Sequence, residues 1–443
     1  MKPYPAYKDS KLDWLGIVPS HWNIIKLKFN ASAQFSNVDK KTEEDERAVR
    51  LCNYVDVYYN DFITEKINFM EASASSKEIL KFQLKENDVI LTKDSEEWDD
   101  IAVPAFVPSQ IQNVICGYHL AQIRPNNKII TGKYLYYLLS AYRTNHQFKV
   151  EATGITRFSL SNYALNNSII LIPERDEQEK IASYLDRKTA QVDDLIDKKE
   201  RMIELLKEER TAVINQAVTK GLDPNIELKD SGIDWLGNIT KNWEVKKLKY
   251  LICGKLEYGA NEAAELDEGD MPRYIRITDF DDDGKLRNDT FKSLPEDKAK
   301  DYLLKSGDIL FARSGATVGK TFQFKDYKGK ACFAGYLIKA TPDTSKILSD
   351  FLCYFTRSSV YEDWKNLIFN QATIQNIGAD KYSVLSLPLT SVEEQQAIIT
   401  YLDQKTEHID KQVEIEKKLI EYLNEYRTAL ISEVVTGKID VRN

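Results

Sequence analysis

A glycine-rich stretch in the second half of the chain has the composition of a loop that binds phosphate. From Gly315 to Thr321 it reads GATVGKT. A nucleotide phosphate loop has four residues between its glycines, so that successive N–H groups surround the phosphates, and here there are three. Ser314 occupies the position of the first glycine. We therefore expect a turn that presents polar side chains to a ligand rather than a nucleotide site. Those side chains are Arg313, Ser314, Thr317 and Lys320.

Two acidic stretches could serve metal-dependent chemistry. Asp223, Glu227 and Lys229 resemble the acid and lysine set of metal-dependent nucleases, but only three residues separate the acids and the stretch follows Gly221. We expect a turn capped by the aspartate at this place. Residues 94–100, DSEEWDD, could bind a cation, and a solvated loop is the alternative that we favour.

Other catalytic and metal-binding patterns are missing from the sequence. The five cysteines include no C-x-x-C pair, and the four histidines lie far from one another, with only His119 near a cysteine, so no structural zinc site is predicted. The sequence contains no Asn-Pro-Pro-aromatic or Asp-Pro-Pro-aromatic motif, which argues against amino-methyl transfer by this chain. We expect no catalytic residue, metal or cofactor in it.

An internal repeat defines the elements that must position these residues. Residues 8–28 match residues 229–249 without gaps, with 11 of 21 positions identical. Residues 177–219 match residues 394–436, with 19 of 43 identical. The stretches between are similar only in short patches, so constant blocks alternate with variable segments. The expected regions are a first domain at 1–172, a constant helix at 173–221, a second domain at 222–388 and a second constant helix at 389–443.

Each longer constant block is predicted to form one helix. Apolar residues occupy seven of ten positions at alternating spacings of four and three, which is typical of a coiled-coil seam. A helix of 43 residues is roughly 65 Å long. We expect the two helices to pack antiparallel, and the alternative is that each docks only on its own domain. The predicted seam residues are Ile181, Leu185, Val192, Leu195, Met202, Leu206, Val213, Ile398, Leu402, Ile409, Leu419, Leu423 and Leu430.

Both variable segments have β-type runs followed by a helical stretch. NDVILTK in the first and GDILFAR in the second are predicted strands, and helices follow at GKYLYYLLSAYRTNHQFKV and SDFLCYFTRSSVYEDWKN. The final VTGKIDVRN resembles VTKGLDPNI at residues 218–226, so the duplication has cyclic symmetry. The predicted fold class is α+β: two α+β domains separated by two long antiparallel coiled-coil-like helices, with a pseudo-twofold internal duplication.

The charge of the chain is acidic overall and uneven along its length. Its 443 residues include 61 basic and 69 acidic side chains, a net charge of −8, which excludes a uniformly basic coat for nucleic acid. Residues 101–173 nevertheless contain six basic residues and one acidic residue. A basic surface that contacts phosphates is one interpretation, and an unevenly charged solvated surface is the other. With no apolar run near the roughly 18 residues that span a bilayer, we expect no membrane association and a cytoplasmic location.

These motifs in combination resemble one known family. The repeated DWLG…W…KLK pattern, the stretch GDILFARSGATVGK and the helices that carry EQ, YLD, KT and VT in order are similar to the specificity subunit of type I DNA restriction-modification enzymes. The resemblance covers both halves of the chain. It implies two target recognition domains, each reading one part of a bipartite DNA sequence, held apart by two conserved helices.

The resemblance also implies partners and a division of labour. The chain itself would be non-catalytic, and it would bind double-stranded DNA, two modification subunits that methylate, and restriction subunits that cleave. S-adenosylmethionine, ATP and Mg²⁺ are expected on those partner subunits.

The resemblance further suggests which residues contact DNA. Arg50, Asn53 and Tyr54 occupy a place in the first domain like that of the run from Arg276 to Phe280 in the second. The run from Gly154 to Arg157 has its nearest equivalent at residues 372–375, which lack the arginine. For each residue, a strand-end salt bridge or a helix cap is the alternative. The predicted DNA-binding residues are Arg50, Asn53, Tyr54, Lys93, Thr156, Arg157, Arg276, Arg313, Ser314, Thr317, Lys320 and Gln375.

Two other functions stay open at the level of sequence. The chain could itself cut or methylate DNA, although the missing motifs argue against an enzyme. It could also be a structural adaptor whose variable domains bind protein. DNA binding that weakens steeply with salt would distinguish a DNA-reading chain from an adaptor.

Overall fold

The computed structural model divides the chain into two units, each of which includes part of both long helices. Unit 1 consists of Met1–Glu200 and Lys418–Asn443, and unit 2 consists of Arg201–Lys417. The structure describes residues 2–281, 284–315, 317–370 and 376–442.

Unit 1 begins with short strands and ends in the first long helix. The strands are β1 (Tyr7–Asp9), β2 (Ile17–Pro19), β3 (Asn23–Lys26), β4 (Ala31–Phe35), β5 (Arg47–Cys52), β6 (Met70–Ala74), β7 (Val89–Thr92), β8 (Asp94–Ser95), β9 (Pro104–Phe106), β10 (Val114–Cys116), β11 (Leu120–Pro125), β12 (Phe158–Ser159) and β13 (Ile169–Ile172). The helices are α1 (Tyr54–Tyr58), α2 (Ser76–Phe82), α3 (Gly132–Ser140), α4 (Tyr142–Glu151), α5 (Asn162–Asn167) and the long α6 (Arg175–Lys220). A 3-10 turn lies at Leu27–Phe29.

Two sheets form the centre of unit 1. One is antiparallel throughout, with strand order β4-β11-β7-β9, and the other has the order β10-β5-β6, with β10 parallel to β5. Strand β7 is buried along its whole length because α3 covers one of its faces and residues of the second sheet pack against the other. Leu91 of β7 belongs to the same buried cluster as Tyr134 and Leu138 of α3. One part of the core of unit 1 therefore lies between the antiparallel sheet and α3, and a second part, which contains Ile90 and Leu51, lies on the other face of that sheet.

Unit 2 has a similar order of elements, with fewer strands among its described residues. Its strands are β14 (Leu228–Asp230), β15 (Asn238–Thr240), β16 (Glu244–Lys247), β17 (Glu257–Tyr258), β18 (Arg273–Ile275), β19 (Ile309–Ala312), β20 (Thr321–Gln323), β21 (Ala331–Phe333), β22 (Leu337–Ala340) and β23 (Ser386–Leu389). Its helices are α7 (Glu296–Ala299), α8 (Ser349–Phe355), α9 (Ser359–Asn370), α10 (Ala379–Ser383) and the long α11 (Val392–Val435). Further 3-10 turns lie at Leu248–Tyr250, Ile277–Asp279 and Lys300–Tyr302.

The strand pairing of unit 2 repeats that of unit 1. The antiparallel sheet has the order β17-β22-β19-β20, and β21 runs parallel to β18. The central strands β7 and β19 each follow a turn that needs a left-handed residue, supplied by Asn87 at φ +71° and by Gly307 at φ +96°. The aspartates that come next, Asp88 and Asp308, are buried and accept a backbone N–H within that turn. The duplication predicted from sequence is therefore present in the fold.

Helices α6 and α11 pair with each other inside each unit. In unit 2, Arg210 Nε lies 3.0 Å from Asp410 Oδ1, and in unit 1, Arg427 Nε lies 3.2 Å from Asp193 Oδ1. The end of one helix thus meets the first half of the other in both pairs. The helices run antiparallel, as predicted.

Both long helices are also fixed to the domain of the unit in which they begin. Trp22 Nε1 donates to Glu177 Oε1 at 3.1 Å, and Trp243 Nε1 donates to Glu394 Oε2 at 3.2 Å. Both indoles are buried, and a buried N–H without an acceptor would cost free energy. The tryptophan of the shorter repeated block therefore binds the glutamate of the longer repeated block in each unit, which explains why both residues occur in both halves of the chain.

The glutamine next to each glutamate forms a second clamp. Gln178 and Gln395 are fully buried. Gln178 Oε1 accepts the N–H of Thr131 at 2.9 Å, and Gln395 Oε1 accepts the N–H of Leu348 at 2.8 Å. Their amide groups donate to backbone carbonyls of the same loops, at 2.9 Å in both units. The helices therefore dock on their own domains at their starts as well as pairing with each other.

The buried face of α6 departs from the predicted seam at every second position. Leu195 and Met202 are 44% and 45% exposed, so they were wrong as seam residues. Ile196 and Ile203 are half-buried in their place. The shift begins at Thr189, a buried threonine that a search for apolar residues passes over. Of the other predicted residues, Ile181, Leu185, Val192 and Leu206 are buried and Val213 is half-buried.

Helix α11 shows the same departure. Leu419 is 37% exposed, and its neighbour Ile420 is half-buried instead. Here the shift begins at the buried Thr406, whose hydroxyl donates to the carbonyl of Leu402 at 2.8 Å and is satisfied within the helix. A four-residue step replaces a three-residue step in both helices, and this moves every second position of the buried stripe by one residue. Of the other predicted residues, Ile398, Leu402, Ile409 and Leu430 are buried and Leu423 is half-buried.

Candidate nucleic-acid interface

In unit 1 a lysine at the end of the central strand is held between aromatic rings. Lys93 follows β7, and its Nζ lies 4.4 Å from the ring centroid of Tyr118 and 5.2 Å from that of Phe35. Its backbone N–H donates to the carbonyl of His119 at 3.1 Å. Because the face of an aromatic ring attracts a cation, the two rings hold the lysine side chain at the strand end.

A tight loop brings a second cation to the same end. Residues 153 and 159 exchange backbone hydrogen bonds of 3.1 and 2.9 Å, so Thr156 and Arg157 stand exposed at its tip. Strand β12 at its base pairs with β8, which follows Lys93. Burial raises the pKa of Tyr54, while a hydrogen bond from Ser95 and the charge of Arg157 oppose that rise. Tyr54 therefore lies near Arg157 and near Ser95 of β8, the strand that follows Lys93.

Arg50 and Asn53 have structural partners in the fold. The guanidinium of Arg50 binds both carboxylate oxygens of Glu65, at 2.8 and 3.1 Å, which lowers the pKa of Glu65. Asn53 precedes α1, and its backbone N–H donates to the Asp56 carboxylate at 2.7 Å. Both residues thus have the structural roles that the sequence left as alternatives.

Unit 2 places an arginine where unit 1 has Lys93. Arg313 follows β19, its guanidinium lies 4.9 Å from the ring centroid of Tyr258, and its backbone N–H donates to the carbonyl of Tyr336 at 3.0 Å. Tyr258 pairs with Ile338 in the sheet as Phe35 pairs with Ala121. The same cation and aromatic pair therefore occurs at the same strand end in both units.

The glycine-rich stretch forms a closed turn rather than a phosphate loop. The N–H groups of Val318, Gly319 and Lys320 donate to backbone carbonyls at 2.9 to 3.1 Å. A phosphate loop needs these N–H groups free for the ligand. Gly315 and Gly319 have φ of +84° and +83°, which the turn requires. This stretch is a glycine-rich turn, as the sequence analysis favoured.

A cavity of about 590 Å³ lies beside the turn in unit 2. Ser314 and Thr317 line it together with Asn261, Arg276 and Tyr336, and most of its wall is carbon. The guanidinium of Arg276 donates hydrogen bonds of 2.8 and 3.1 Å to the carboxylate of the buried Asp279, so this charge is already paired at the cavity wall. The result is a mainly apolar recess with hydroxyl and amide groups along its wall.

Not all of the predicted residues meet at this recess. Lys320 is exposed and lines a separate cavity of about 240 Å³ with Arg210 and Thr356. Gln375 lies outside the described residues. The structure also corrects the match between the two domains. Arg50 corresponds to Arg273, because each is the first residue of the parallel pairing with the neighbouring strand.

Asn53 therefore corresponds to Arg276. Each precedes a short helix, and each has a backbone N–H bound to an aspartate three residues later. The sequence comparison matched Arg50 with Arg276 because both are arginines, and this is three residues away from the structural match. The correct match aligns Asp56 with Asp279.

Sequence reasoning missed the turn that crosses from one sheet to the other in each unit. Residues 117–120 join β10 to β11, and residues 334–337 join β21 to β22. Tyr118 and Tyr336 at these turns are 49% and 65% exposed. The signal in the sequence is a Gly-Tyr pair after an apolar run, in ICGYHL and in CFAGYL.

The basic balance of residues 101–173 overstates the positive surface. Arg124 binds the buried Asp88 at 2.7 Å, and Lys133 binds Asp186 at 2.7 Å. Arg157 is exposed, and it lies on the loop beside Lys93. Two of the six basic residues are therefore paired with carboxylates, whereas Lys128, Arg143 and Arg157 are exposed.

The acidic stretches also have structural partners. Asp223 accepts the N–H of Asn225 at 2.9 Å within a turn, and Asp94 binds His119 and Ser159 at 2.8 and 2.6 Å. Across the part of the chain that the structure describes, no three His, Cys, Asp or Glu side chains are grouped so that they could hold a metal ion. No described helix combines the length and apolar character needed to cross a membrane.

A family model matches both halves of the chain. It is described as the type I restriction modification DNA specificity domain, and it matches residues 38–205 and 240–425. The MjaVIII type I restriction enzyme specificity subunit of Methanocaldococcus jannaschii is 24% identical over 448 residues, covering 96% of this chain and 95% of its own length. The StySPI specificity subunit of Salmonella potsdam is 25% identical over 333 residues, covering 73% of this chain and 68% of its own.

Solved structures share the fold. A chain from a structure described as the basis of complex assembly and conformational transition of the type I R-M system has a TM-score of 0.71 at 15% identity, with 95% of this chain and 99% of that chain covered. The HsdS subunit from Thermoanaerobacter tengcongensis has a TM-score of 0.56 at 16% identity, with 95% and 98% covered.

Proposed function

Because the chain belongs to the type I restriction modification DNA specificity family, with one matching domain in each half, we propose that it reads a bipartite DNA target, one part with each unit. The resemblance noted in the sequence is confirmed by that match. The observation that carries the proposal is the repeated strand end, where a cation over an aromatic ring stands beside exposed side chains in both units. Cations bind phosphates, and polar side chains beside them can reach base edges.

We assign the domain limits and the contact residues on the same basis. The target recognition domains are residues 1–172 and 222–388, and the spacer helices are residues 173–221 and 389–443. Arg50, Asn53 and Arg276 support the interface through their own partners, and Tyr54 lies beside it, near Ser95 and Arg157. The residues proposed to contact DNA are Lys93, Thr156, Arg157, Arg313, Ser314, Thr317, Lys320 and Gln375.

The chain acts without chemistry of its own in this proposal. Methylation and cleavage belong to modification subunits, two per chain, and to restriction subunits, which bind S-adenosylmethionine, ATP and Mg²⁺. We propose that the modification subunits dock on α6 and α11, since both helices expose apolar side chains. Leu205 is 43% exposed on α6 and Tyr422 is 63% exposed on α11. Because the substrate is DNA, we place the assembly in the cytoplasm.

Selection from random DNA tests the proposal. The full chain, alone and with its modification subunit, is incubated with a pool of random duplexes, and the bound fraction is sequenced. We expect a bipartite motif and an affinity that falls steeply with salt. Absence of any enriched sequence, or binding that is insensitive to salt, would favour the protein adaptor. Methyl incorporation or nicking by the isolated chain, abolished by a point mutation, would favour an enzyme.

Three charge variants locate the contact. Lys93→Gln and Arg313→Gln should each weaken binding and reduce the slope of log affinity against log salt by about 1, because one phosphate contact is lost. Lys128→Gln removes an exposed lysine of unit 1 away from the strand end and serves as the matched control. Equal slopes for all three variants would argue against the strand ends as the DNA interface.

A further inference from the structure

The turn beside the strand-end cation has the same backbone in both units. In residues 117–120 and in residues 334–337, the last N–H donates to the first carbonyl, at 3.1 and 2.9 Å. The first N–H of each turn donates to the end of the parallel neighbouring strand, at 2.9 Å in both cases. The third carbonyl accepts the N–H of Lys93 or of Arg313. Each turn is therefore fixed to the cation that we propose to bind phosphate.

The side chains at the tip of this turn differ between the units. Its two central residues are Tyr118 and His119 in unit 1, and Gly335 and Tyr336 in unit 2. His119 is held by Asp94 through a 2.8 Å contact, so Tyr118 is the exposed member of its pair. The exposed tyrosine thus stands at the second position of one turn and at the third position of the other.

The surroundings of Tyr336 suit the edge and face of a nucleobase. The tyrosine lines the recess of about 590 Å³ with Asn261, Ser314 and Thr317. These three side chains make no hydrogen bond within the described residues, and hydroxyl and amide groups can each donate and accept. The apolar wall can accommodate the methyl group of a thymine or the face of a base.

We propose that the tip of this turn is a specificity-determining contact in each half of the target, with Tyr118 and Tyr336 touching bases while Lys93 and Arg313 hold the adjacent phosphates. This rests on the proposed function, because it names the residues through which each unit reads its part of the DNA. A fixed backbone with different tip residues allows two similar units to read two different sequences.

Four tyrosine variants test the inference. The parent chain first selects its motif from random duplexes, and Tyr118→Ala and Tyr336→Ala are then put through the same selection. We expect Tyr118→Ala to lose preference at one or two base pairs in one half of the motif and Tyr336→Ala in the other half, with affinity lowered about tenfold. The salt dependence should stay that of the parent, because no charge is removed.

The control variants are Tyr163→Ala and Tyr250→Ala. Both tyrosines are as exposed as the tested pair, at 75% and 58%, and both lie by the 3-10 turns that precede β4 and β17, at the other end of the sheet. They should select the parent motif unchanged. A parent motif retained at every position by Tyr118→Ala or Tyr336→Ala would overturn the inference, as would a uniform loss of affinity with all preferences kept. A parent chain that selects nothing overturns the proposed function, and this inference with it.

Discussion

Unit 1 and unit 2 are alike where the long helices bind them and different where we propose that DNA binds. Gln178 and Gln395 hold backbone N–H and carbonyl groups of the variable segments, at nearly the same distances in both units. Tyr118 and Tyr336, by contrast, project from different positions of the same turn. A clamp on backbone atoms tolerates any side chain in the loop that it holds. The variable segments can therefore change in sequence without losing their place on the helices.

Exchange of one variable segment gives the largest effect that this comparison predicts. Replacing residues 250–387 with the corresponding segment of a relative leaves Trp243, Glu394 and Gln395 in place. One half of the recognised sequence should change completely, and the other half should stay that of the parent. Each base pair that differs from the new preference should weaken binding by about 1–3 kcal/mol. Methylome sequencing of cells that carry the exchanged chain measures both halves. A change in both halves would show that the units do not read DNA separately.

Removal of a clamp should destabilise only the unit that contains it. Trp243→Ala leaves a cavity and removes the indole donor to Glu394, and we expect a loss of about 3–5 kcal/mol in the free energy of unfolding of unit 2. Urea unfolding followed by hydrogen exchange resolves the two units. Trp98→Ala, at a tryptophan that is 49% exposed, is the control and should cost less than about 0.5 kcal/mol. Equal loss of protection in both units would contradict independent clamping.

Two neighbouring leucines of α6 allow the buried face of the helix pair to be tested separately from its exposed surface. Leu206 is 8% exposed and Leu205 is 43% exposed. Leu206→Lys places a charge on the buried face and should cost about 2–3 kcal/mol. Leu205→Lys should leave the thermal midpoint near that of the parent and weaken capture of the modification subunit in pull-downs. The reverse pattern would contradict the assignment of Leu206 to the helix pair and of Leu205 to the docking surface.

Acid should weaken one loop of unit 2 and leave its equivalent in unit 1 unchanged. Hydrogen bonds from Lys346 and Ser345 lower the pKa of Asp343 to about 2, whereas the equivalent residue of unit 1 is Asn126, which has no proton to gain. A lowered pKa in the folded state stabilises the loop above the ordinary value of 3.8, and this contribution disappears as the pH falls towards 2.

The acid effect is the smallest of the four, because Asp343 is at the surface. Hydrogen exchange at residues 343–348, measured between pH 5 and pH 2, should show protection falling in the parent chain. Asp343→Asn should remove most of that pH dependence, since it gives unit 2 the chemistry of unit 1. A variant with the pH dependence of the parent would exclude Asp343 as its source.

The duplication was predicted correctly and parts of the seam and of the charge distribution were not, and both outcomes have physical causes. The duplication was readable because identical residues such as Trp22 and Glu177 recur at fixed offsets. The positions of some seam residues were wrong because a search for apolar residues passes over Thr189 and Thr406. Their hydroxyls donate to carbonyls of their own helices, so both threonines can be buried. The basic stretch was overestimated because a count of charges does not reveal that Asp88 neutralises Arg124.

The candidate interface depended still more on folding. Lys93, Phe35 and Tyr118 are far apart in the chain, and only the order of strands β4, β11 and β7 brings them together. The match of Arg50 with Arg273 was also invisible, because register is set by strand pairing rather than by residue type.

The sequence by itself determined the duplication, the long helices and the family, because these depend on residue identities at regular spacings along one chain. The tertiary structure decided which threonines enter the seam, which cations are neutralised and which turn stands beside Lys93 and Arg313. Those outcomes depend on distances between segments remote in sequence, where burial and partner geometry determine what a side chain can do.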